Sequence, residues 1–219
     1  DPGNLSVSIN TTAVQCNGDN DGQAEAIVSG NTGTVNYNWS VSGSGSTVTG
    51  LAPGQVSVTV TEAGCQAVAS ASITEPTALN VNVTQTNVTC NGGANGTATA
   101  SVSGGVGNYT YEWLTTPTQN TQSVTGLEAA SIILNVEDGN GCEASPVTVT
   151  ITQPSDISAT INPTPVSCYG ENDGSAQLNA SGGTPPYSYN WAGGGSASLL
   201  NGLTAGSYDV TITDNNNCQ

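Results

Sequence analysis

Apolar and polar residues alternate in short stretches throughout this chain. Leu5, Val7 and Ile9 open the series, and Val56-Ser-Val-Thr-Val60 and Val147-Thr-Val-Thr-Ile151 are its clearest members. A period of two places alternate side chains on one buried face, so each stretch predicts a half-buried strand. Clusters of Gly, Asn, Asp, Ser and Pro between them supply the turns. No segment approaches the length of a membrane span.

The pattern is written three times. From Cys16, Cys90 and Cys168, a glycine follows at +6 (Gly22, Gly96, Gly174). Ser-Gly follows at +13 and +14 (Ser29-Gly30, Ser103-Gly104, Ser181-Gly182), tyrosine at +21 (Tyr37, Tyr111, Tyr189) and tryptophan at +23 (Trp39, Trp113, Trp191). Self-similarity at a fixed spacing marks a tandem repeat protein. The units are residues 1–76, 77–154 and 155–219, meeting at Glu75-Pro76-Thr77 and Gln153-Pro154-Ser155. A proline with almost no linker around it makes a stiff joint.

Aligned on Gly-Leu (Leu51, Leu127, Leu203), the penultimate strand of each unit puts Val56, Ile132 and Tyr208 on its inner face. Val58, Leu134 and Val210 follow, then Val60, Val136 and Ile212; only Ile133 breaks the alternation. With roughly seven short strands per unit, the expected fold is all-β, an Ig-like antiparallel β-sandwich. Three such repeats in tandem form a rod, each adding about 30–40 Å. The third unit lacks the final strand that Ala67–Ile73 and Val147–Ile151 give the others. Either a neighbouring copy donates a strand there, or the chain is simply cut, which is the favoured reading.

Six cysteines allow 15 pairings. Pairing within units (Cys16–Cys65, Cys90–Cys142, Cys168–Cys218) treats the three repeats alike and is the expectation. Closing a loop of about 50 residues is worth about 4 kcal/mol in the chain-entropy model, a useful staple for a thin core without Phe or Met. Paired cysteines imply an oxidising, extracytoplasmic home. No signal peptide is visible, and the chain reads as a mature product or a fragment of something longer.

Composition acts mainly by exclusion. The 219 residues hold no Lys, Arg or His and 16 acidic residues. Without cations the chain cannot neutralise phosphates, which argues against nucleic-acid binding. It has no imidazole or amine for general-base, Schiff-base or metal-ligand roles. Trypsin has no site to cut. No unit carries a nucleophile–base pair, so the protein is expected not to be an enzyme.

The string Cys-x-Gly-x-x-x-Gly … Ser-Gly-Gly-Thr-Pro-Pro-Tyr-Ser-Tyr-Asn-Trp … Gly-Leu-Thr-Ala-Gly-Ser-Tyr-Asp-Val-Thr-Ile-Thr-Asp-Asn-Asn-Asn-Cys, running from Cys168 to Cys218, resembles the SprB repeat family. The first two units keep the cysteines, glycines, Tyr-x-Trp and Gly-Leu but replace Thr-Pro-Pro. The resemblance implies a structural or adhesive segment of an extracellular bacterial surface filament or gliding-type adhesin, exported by the type IX system. It carries no catalytic residue. Expected partners are other copies of the chain or adjoining repeats of a longer one, with surface polysaccharide as a further candidate.

A rival reading makes the chain a carbohydrate- or calcium-binding module. Asn17-x-Asp19-x-Asp21-Gly22 resembles the first half of a calcium loop, and Glu171-Asn-Asp173-Gly174 is a weaker version. No resident cofactor is expected, and calcium at Asn17, Asp19, Asp21, Glu171 and Asp173 is the sole metal candidate. The second unit has Gly93-Ala-Asn95-Gly96 there, without a carboxylate, which favours a plain hairpin turn. The repeated tryptophans read as core anchors, and Tyr109, Tyr169 and Tyr187 as better candidates for an exposed contact. Glu137-Asp138 reads as a solvated turn pair.

Overall fold

The structure is a computed structural model describing residues 5–219; the first four positions of the first expected repeat lie outside the described residues. Among the described residues every regular element is a strand. The first repeat contains β1 (Ser6–Thr12), β2 (Gly22–Ser29), β3 (Asn36–Trp39), β4 (Thr47–Leu51), β5 (Gly54–Glu62) and β6 (Cys65–Ile73). The second contains β7 (Asn80–Thr86), β8 (Gly96–Ser103), β9 (Thr110–Trp113), β10 (Ser123–Leu127), β11 (Ala130–Glu137) and β12 (Val147–Ile151). The third contains β13 (Ser158–Thr164), β14 (Gly174–Ser181), β15 (Ser188–Trp191), β16 (Leu199–Leu203) and β17 (Val210–Thr213). Among the described residues the repeats thus have six, six and five strands rather than seven, and the stretch after each tryptophan is irregular.

Each of the first two repeats forms two three-stranded sheets, ordered β1-β2-β4 and β3-β5-β6, then β7-β8-β10 and β9-β11-β12. The third keeps β13-β14-β16, but its second sheet is the pair β15-β17. The repetition extends to register: Ser6 faces Ser29 and Thr12 faces Gln23, just as Ser158 faces Ser181 and Thr164 faces Ser175.

The chain divides into two compact units, and the division falls inside the second repeat. One unit is Asp1–Asn82 (described from Leu5) with Ser101–Glu112 and Asn135–Val147. The other is Val83–Ala100, Trp113–Leu134 and Thr148–Gln219.

In the first unit both sheets of the first repeat feed one core. Ala24, Ala26, Val48 and Leu51 come from β2 and β4, and Trp39, Val56, Val58, Val60 and Ile73 from β3, β5 and β6. The alternation of β5 therefore points inward as read. Gly22 is required at its position: a Cβ there would lie 2.8 Å from the Leu51 carbonyl oxygen and 2.7 Å from the Ile73 side chain. In the second unit the hydrophobic core of the third repeat has as its buried members Ala176, Leu178 and Trp191, with Tyr208, Val210 and Ile212 half-buried around them. Ile133, the exception to the alternation, points outward and is 39 % exposed.

The disulfides correct the expected pairing. Cys16 bonds Cys142 and Cys90 bonds Cys218, each with Cα atoms 5.6 Å apart, while Cys65 and Cys168 are free. The first cysteine of one repeat is joined to the second cysteine of the next. In the first repeat, pairing within the repeat fails on distance. Cys65 begins β6, a nine-residue strand that spans about 30 Å. Just beyond its far end, the Glu75 carboxylate accepts hydrogen bonds from Asn17 Nδ2 and Gly18 N, next to Cys16. A disulfide tolerates Cα separations up to about 7 Å, and these two cysteines sit at opposite poles.

Candidate functional site

Of the residues singled out by the sequence, Cys16, Asn17, Cys90, Cys142 and Cys218 lie at the joints between repeats, and each compact unit contains one joint. In the first unit, the turn after β1 grips the exit from its own repeat. Asn17 Nδ2 donates to Glu75 Oε2 at 3.1 Å and to the Pro76 carbonyl at 3.0 Å, and Gly18 N donates to Glu75 Oε2 at 2.9 Å. The next residue, Thr77, accepts a hydrogen bond from Gly105 N through its carbonyl at 2.8 Å. The link is therefore held from both sides. The second unit repeats the construction: Asn91 Nδ2 donates to the Pro154 carbonyl, Gly92 N to Gln153 Oε1, and Gly183 N to the Ser155 carbonyl. Glu75 and Gln153 are interchangeable because only an acceptor oxygen is needed.

Glycine at the receiving loop is forced. Gly104 and Gly182 have φ of +81° and +77°, and a Cβ on either would run into the carbonyl of Ala78 or Asp156.

At the centre of each joint is a carboxylate: Asp138, which the sequence pattern placed in a solvated turn pair, and Asp214, which it did not single out. Asp138 and Asp214 are only 4 % and 5 % exposed. Asp138 Oδ2 accepts from Val106 N at 2.8 Å, and its Oδ1 accepts from Asn140 N at 2.9 Å and Cys142 N at 3.0 Å. Asp214 does the same with Thr184 N, Asn216 N and Cys218 N at 2.8, 2.8 and 2.9 Å. A chain with no cation cannot pair a buried carboxylate with a counter-charge. Here backbone amides stabilise the ion instead, since hydrogen bonds to the charged form favour it. The amides of Val106 and Cys142 hold Asp138 below the ordinary aspartate value, overcoming burial, with Asn140 assisting. For Asp214 burial is the largest influence and opposes ionisation, yet the amides of Cys218, Thr184 and Asn216 together outweigh it.

Through those bonds the aspartate shapes the turn that presents the second cysteine. It also ties that turn to the Ser-Gly loop of the same repeat. Asn140 Nδ2 then donates to the Gln15 carbonyl at 3.0 Å and Gln15 Nε2 to the Asn140 carbonyl at 3.1 Å, flanking the Cys16–Cys142 bond. At the other joint Asn216 Nδ2 donates to the Thr89 carbonyl at 3.0 Å beside Cys90–Cys218.

A signal for these aspartates was present. Each lies eleven residues after the Gly-Leu leucine, and Glu62 stands at that offset in the first repeat. Glu62 Oε1 accepts from Thr32 N at 2.8 Å and from Gly33 N, so it caps the corresponding loop.

The calcium candidates have a different occupation. Asp21 Oδ1 accepts from Gln15 N at 2.9 Å, Asp173 Oδ1 from Ser167 N at 3.0 Å, and the neutral Asn95 Oδ1 from Thr89 N at 3.0 Å. One backbone cap, made equally by Asp and Asn, accounts for this position. Bonding to the Ser167 side chain and amide lowers the Asp173 pKa. Asp19 and Glu171 enter the turns through backbone bonds, donating from N to the carbonyls of Cys16 and Cys168. Asn17 is committed to Glu75 and Pro76. Among the described residues no three His, Cys, Asp or Glu side chains gather as a metal-binding group.

The tryptophans are buried in all three repeats, and each Nε1 donates to a carbonyl at 2.9 Å: Gly45, Thr121 and Ala197. Tyr109 and Tyr187, expected to be exposed contacts, are half-buried instead. Their hydroxyls donate to the Gly104 and Gly182 carbonyls, bracing the same receiving loop. Tyr169 alone among those three tyrosines is fully exposed.

The family model for the SprB repeat matches residues 8–43, 82–118 and 160–196. No curated protein matches the chain. Among solved structures, the three N-terminal domains of the bacteriophage RB49 Highly Immunogenic Outer Capsid protein superpose with a TM-score of 0.53 at 17 % identity, covering 85 % of this chain and 75 % of that one. A tetra-tandem repeat from the extending region of a large adhesion protein reaches 0.26 at 11 % identity, over 97 % of this chain and 63 % of that one. The N-terminal eight Ig domains of the Down Syndrome Cell Adhesion Molecule reach 0.28 at 8 % identity, over 97 % and 47 %. The first match supports the all-β fold; the other two superpose too loosely to bear on it.

Proposed function

Because this chain belongs to the SprB repeat family, we propose that it is a non-catalytic, load-bearing segment of a secreted bacterial cell-surface adhesin or filament. Its repeats act as Ig-like sandwiches in series. The observation that carries this reading is the course of the disulfides: each runs from the first cysteine of one repeat to the second cysteine of the next, across 126 and 128 residues of sequence. A bond within a repeat would protect that repeat alone. A bond across a joint makes consecutive repeats part of one covalent frame, which suits a chain that transmits force between a surface and whatever it holds. Export and an oxidising destination agree with bonds of this kind. In the chain-entropy model loops of that size are worth about 5 kcal/mol each; the two overlap over residues 90–142, so the terms do not simply add.

Pulling single molecules by their ends tests the reading. When an oxidised chain is drawn out fully, the shortest covalent path runs to Cys16, across to Cys142, back to Cys90 and across to Cys218. That path is roughly 70 residues, or about 240 Å. With both bonds reduced, the whole chain extends to about 770 Å. Equal contour lengths with and without reductant would remove the basis for a covalently reinforced segment.

A further inference from the structure

The dipeptide Asn-Gly stands at Asn17, Asn91, Asn95, Asn140 and Asn201. In this pair the backbone nitrogen of the second residue can attack the asparagine side chain, because glycine places no side chain in the way. All five asparagines are exposed, so accessibility does not tell them apart. Hydrogen bonding does. Asn17 Nδ2 donates to Glu75 Oε2 and to the Pro76 carbonyl, while Gly18 N donates to Glu75 Oε2. Asn91 Nδ2 donates to the Pro154 carbonyl and Gly92 N to Gln153 Oε1. Asn140 Nδ2 donates to the Gln15 carbonyl and Gly141 N to that of Asp138. Asn95 bonds Thr89 through both ends of its amide, and Gly96 is buried. At these four sites the amide that would leave is tied down, and beside Asn17, Asn91 and Asn140 the attacking nitrogen is tied as well.

Asn201 differs. It lies on β16 opposite Ser175, and the pairing then skips to Leu203 opposite Gly174. Gly202 is therefore the extra residue of a bulge, with φ of +75° and no partner in the ladder. The space around it is open: a Cβ there would meet nothing nearer than the Asn172 carbonyl oxygen at 3.9 Å. The Asn201 side chain is exposed, and among the described residues no hydrogen bond holds it. Gly50 and Gly126 lie in the corresponding bulges of the first two repeats, but Thr49 and Thr125 precede them. A threonine side chain has no carbonyl to attack.

We propose that Asn201 is a site of spontaneous deamidation, the Asn-Gly that the fold leaves unclasped. Gly202 N attacks Asn201 Cγ. That N–C bond forms, the Cγ–Nδ2 bond breaks, and ammonia leaves with the amide proton of Gly202. The reacting atoms belong to adjacent residues, so this step is intramolecular, and it yields a five-membered cyclic imide. Water then opens the ring. Cleavage at the side-chain carbonyl gives aspartate, and cleavage at the main-chain carbonyl gives isoaspartate. Nothing is oxidised or reduced; one water is consumed and one ammonia released. Isoaspartate routes the main chain through the side-chain carbon and lengthens it by one atom, at the point where β16 already accommodates an extra residue. Each event adds one carboxylate to the third repeat. The inference concerns the chemistry of this residue and does not depend on adhesion or on the role under load.

The test incubates the oxidised full chain and Asn201→Thr, which installs the residue type of the other two bulges, in warm, mildly alkaline buffer. A parallel sample of the full chain is reduced and held in urea. After pepsin digestion in acid, conversion at each of the five sites is read by peptide mass, and isoaspartate by enzymatic methyl labelling. In the folded chain Asn201 is expected to convert about tenfold faster than each of the other four, the ratio set by about 1.4 kcal/mol of hydrogen bonding that those four must first break. In the unfolded chain the five rates should converge. Asn201→Thr should lose most of the isoaspartate signal while retaining Cys16–Cys142 and Cys90–Cys218, read in the same digests. A folded-state rate at Asn201 no higher than at the clasped sites would overturn the proposal. So would the same ratio in folded and unfolded chains, which would assign the difference to local sequence, or an undiminished isoaspartate signal in Asn201→Thr.

Discussion

In the first repeat β6 runs along β5 from Gly54↔Ile73 to Glu62↔Cys65 and lies against β1. Ile73 seals the core over Gly22. In the third repeat, among the described residues, no strand takes that place beside β17. The same positions then change character. Ile9 on β1 packs against the first core, whereas Ile161, its counterpart in the shared register, is 44 % exposed on a strand exposed along its whole length. A cavity of about 400 Å³ opens where the closing side chain would sit, lined by Ile161, Val166, Gly174, Leu203 and Tyr208. Nearly identical alternation thus produces a dense core in one repeat and a shallow one in the other. Burial of a strand's inner face depends on the whole set of strands around it.

Substitutions can break this comparison. The largest effect is expected for Ile73→Ala, which removes the side chain that closes the first core. A loss of about 2–5 kcal/mol is expected, read by denaturant unfolding; a loss below about 0.5 kcal/mol, the level of an ordinary surface change, would mean that β6 does not close that core. The reverse experiment appends the sequence of residues 144–154 after Gln219, supplying a β12-type strand to the third repeat. It should raise stability by about 2 kcal/mol, the value of burying one aliphatic side chain, and should slow amide exchange in β13 and β17. No gain in either would mean that the shallow core has another cause.

A smaller shift is expected from the buried aspartates of the second and third repeats. Both have folded-state pKa values below the ordinary 3.8, so their contribution is fully present above that value and is lost as pH falls through the folded values. Melting temperature should therefore decline on acidification in the parent protein, and the decline should be shallower in Asp138→Asn and Asp214→Asn. Parallel acid limbs would assign the decline to other carboxylates. The smallest effect belongs to Ile161→Ala, expected within about 0.5 kcal/mol of the parent. A cost comparable to that of Ile9→Ala would show that Ile161 is covered in solution.

Much of the fold was legible because it is local. The offsets from each cysteine to Gly22, Trp39 and their counterparts located the three repeats, and alternation picked out the inward residues Val56, Val58 and Val60. Asp138 was misread for a physical reason: a carboxylate without a cation in the whole chain looks solvent-bound unless the amides that converge on it are known. Those of Val106 and Cys142 lie on segments well separated in sequence from each other. Tyr109 and Tyr187 were misread similarly, since a hydroxyl bonding a nearby carbonyl leaves no trace in alternation. The cysteines were misassigned because symmetry among repeats was equated with closure inside each one, and a ladder from one repeat to the next is equally regular.

By itself the sequence determined the strand periodicity, the three-fold repetition, the buried tryptophans and the absence of any basic group, since each follows from residue type and spacing. Only the tertiary structure decided which cysteine meets which. It also decided that Asp138 and Asp214 organise the joints. Those outcomes rest on which pole of a repeat each turn occupies. An extended strand of nine residues carries Cys65 about 30 Å from the turn that holds Cys16, and brings the joint between repeats, rather than the repeat itself, within reach of a sulfur–sulfur bond.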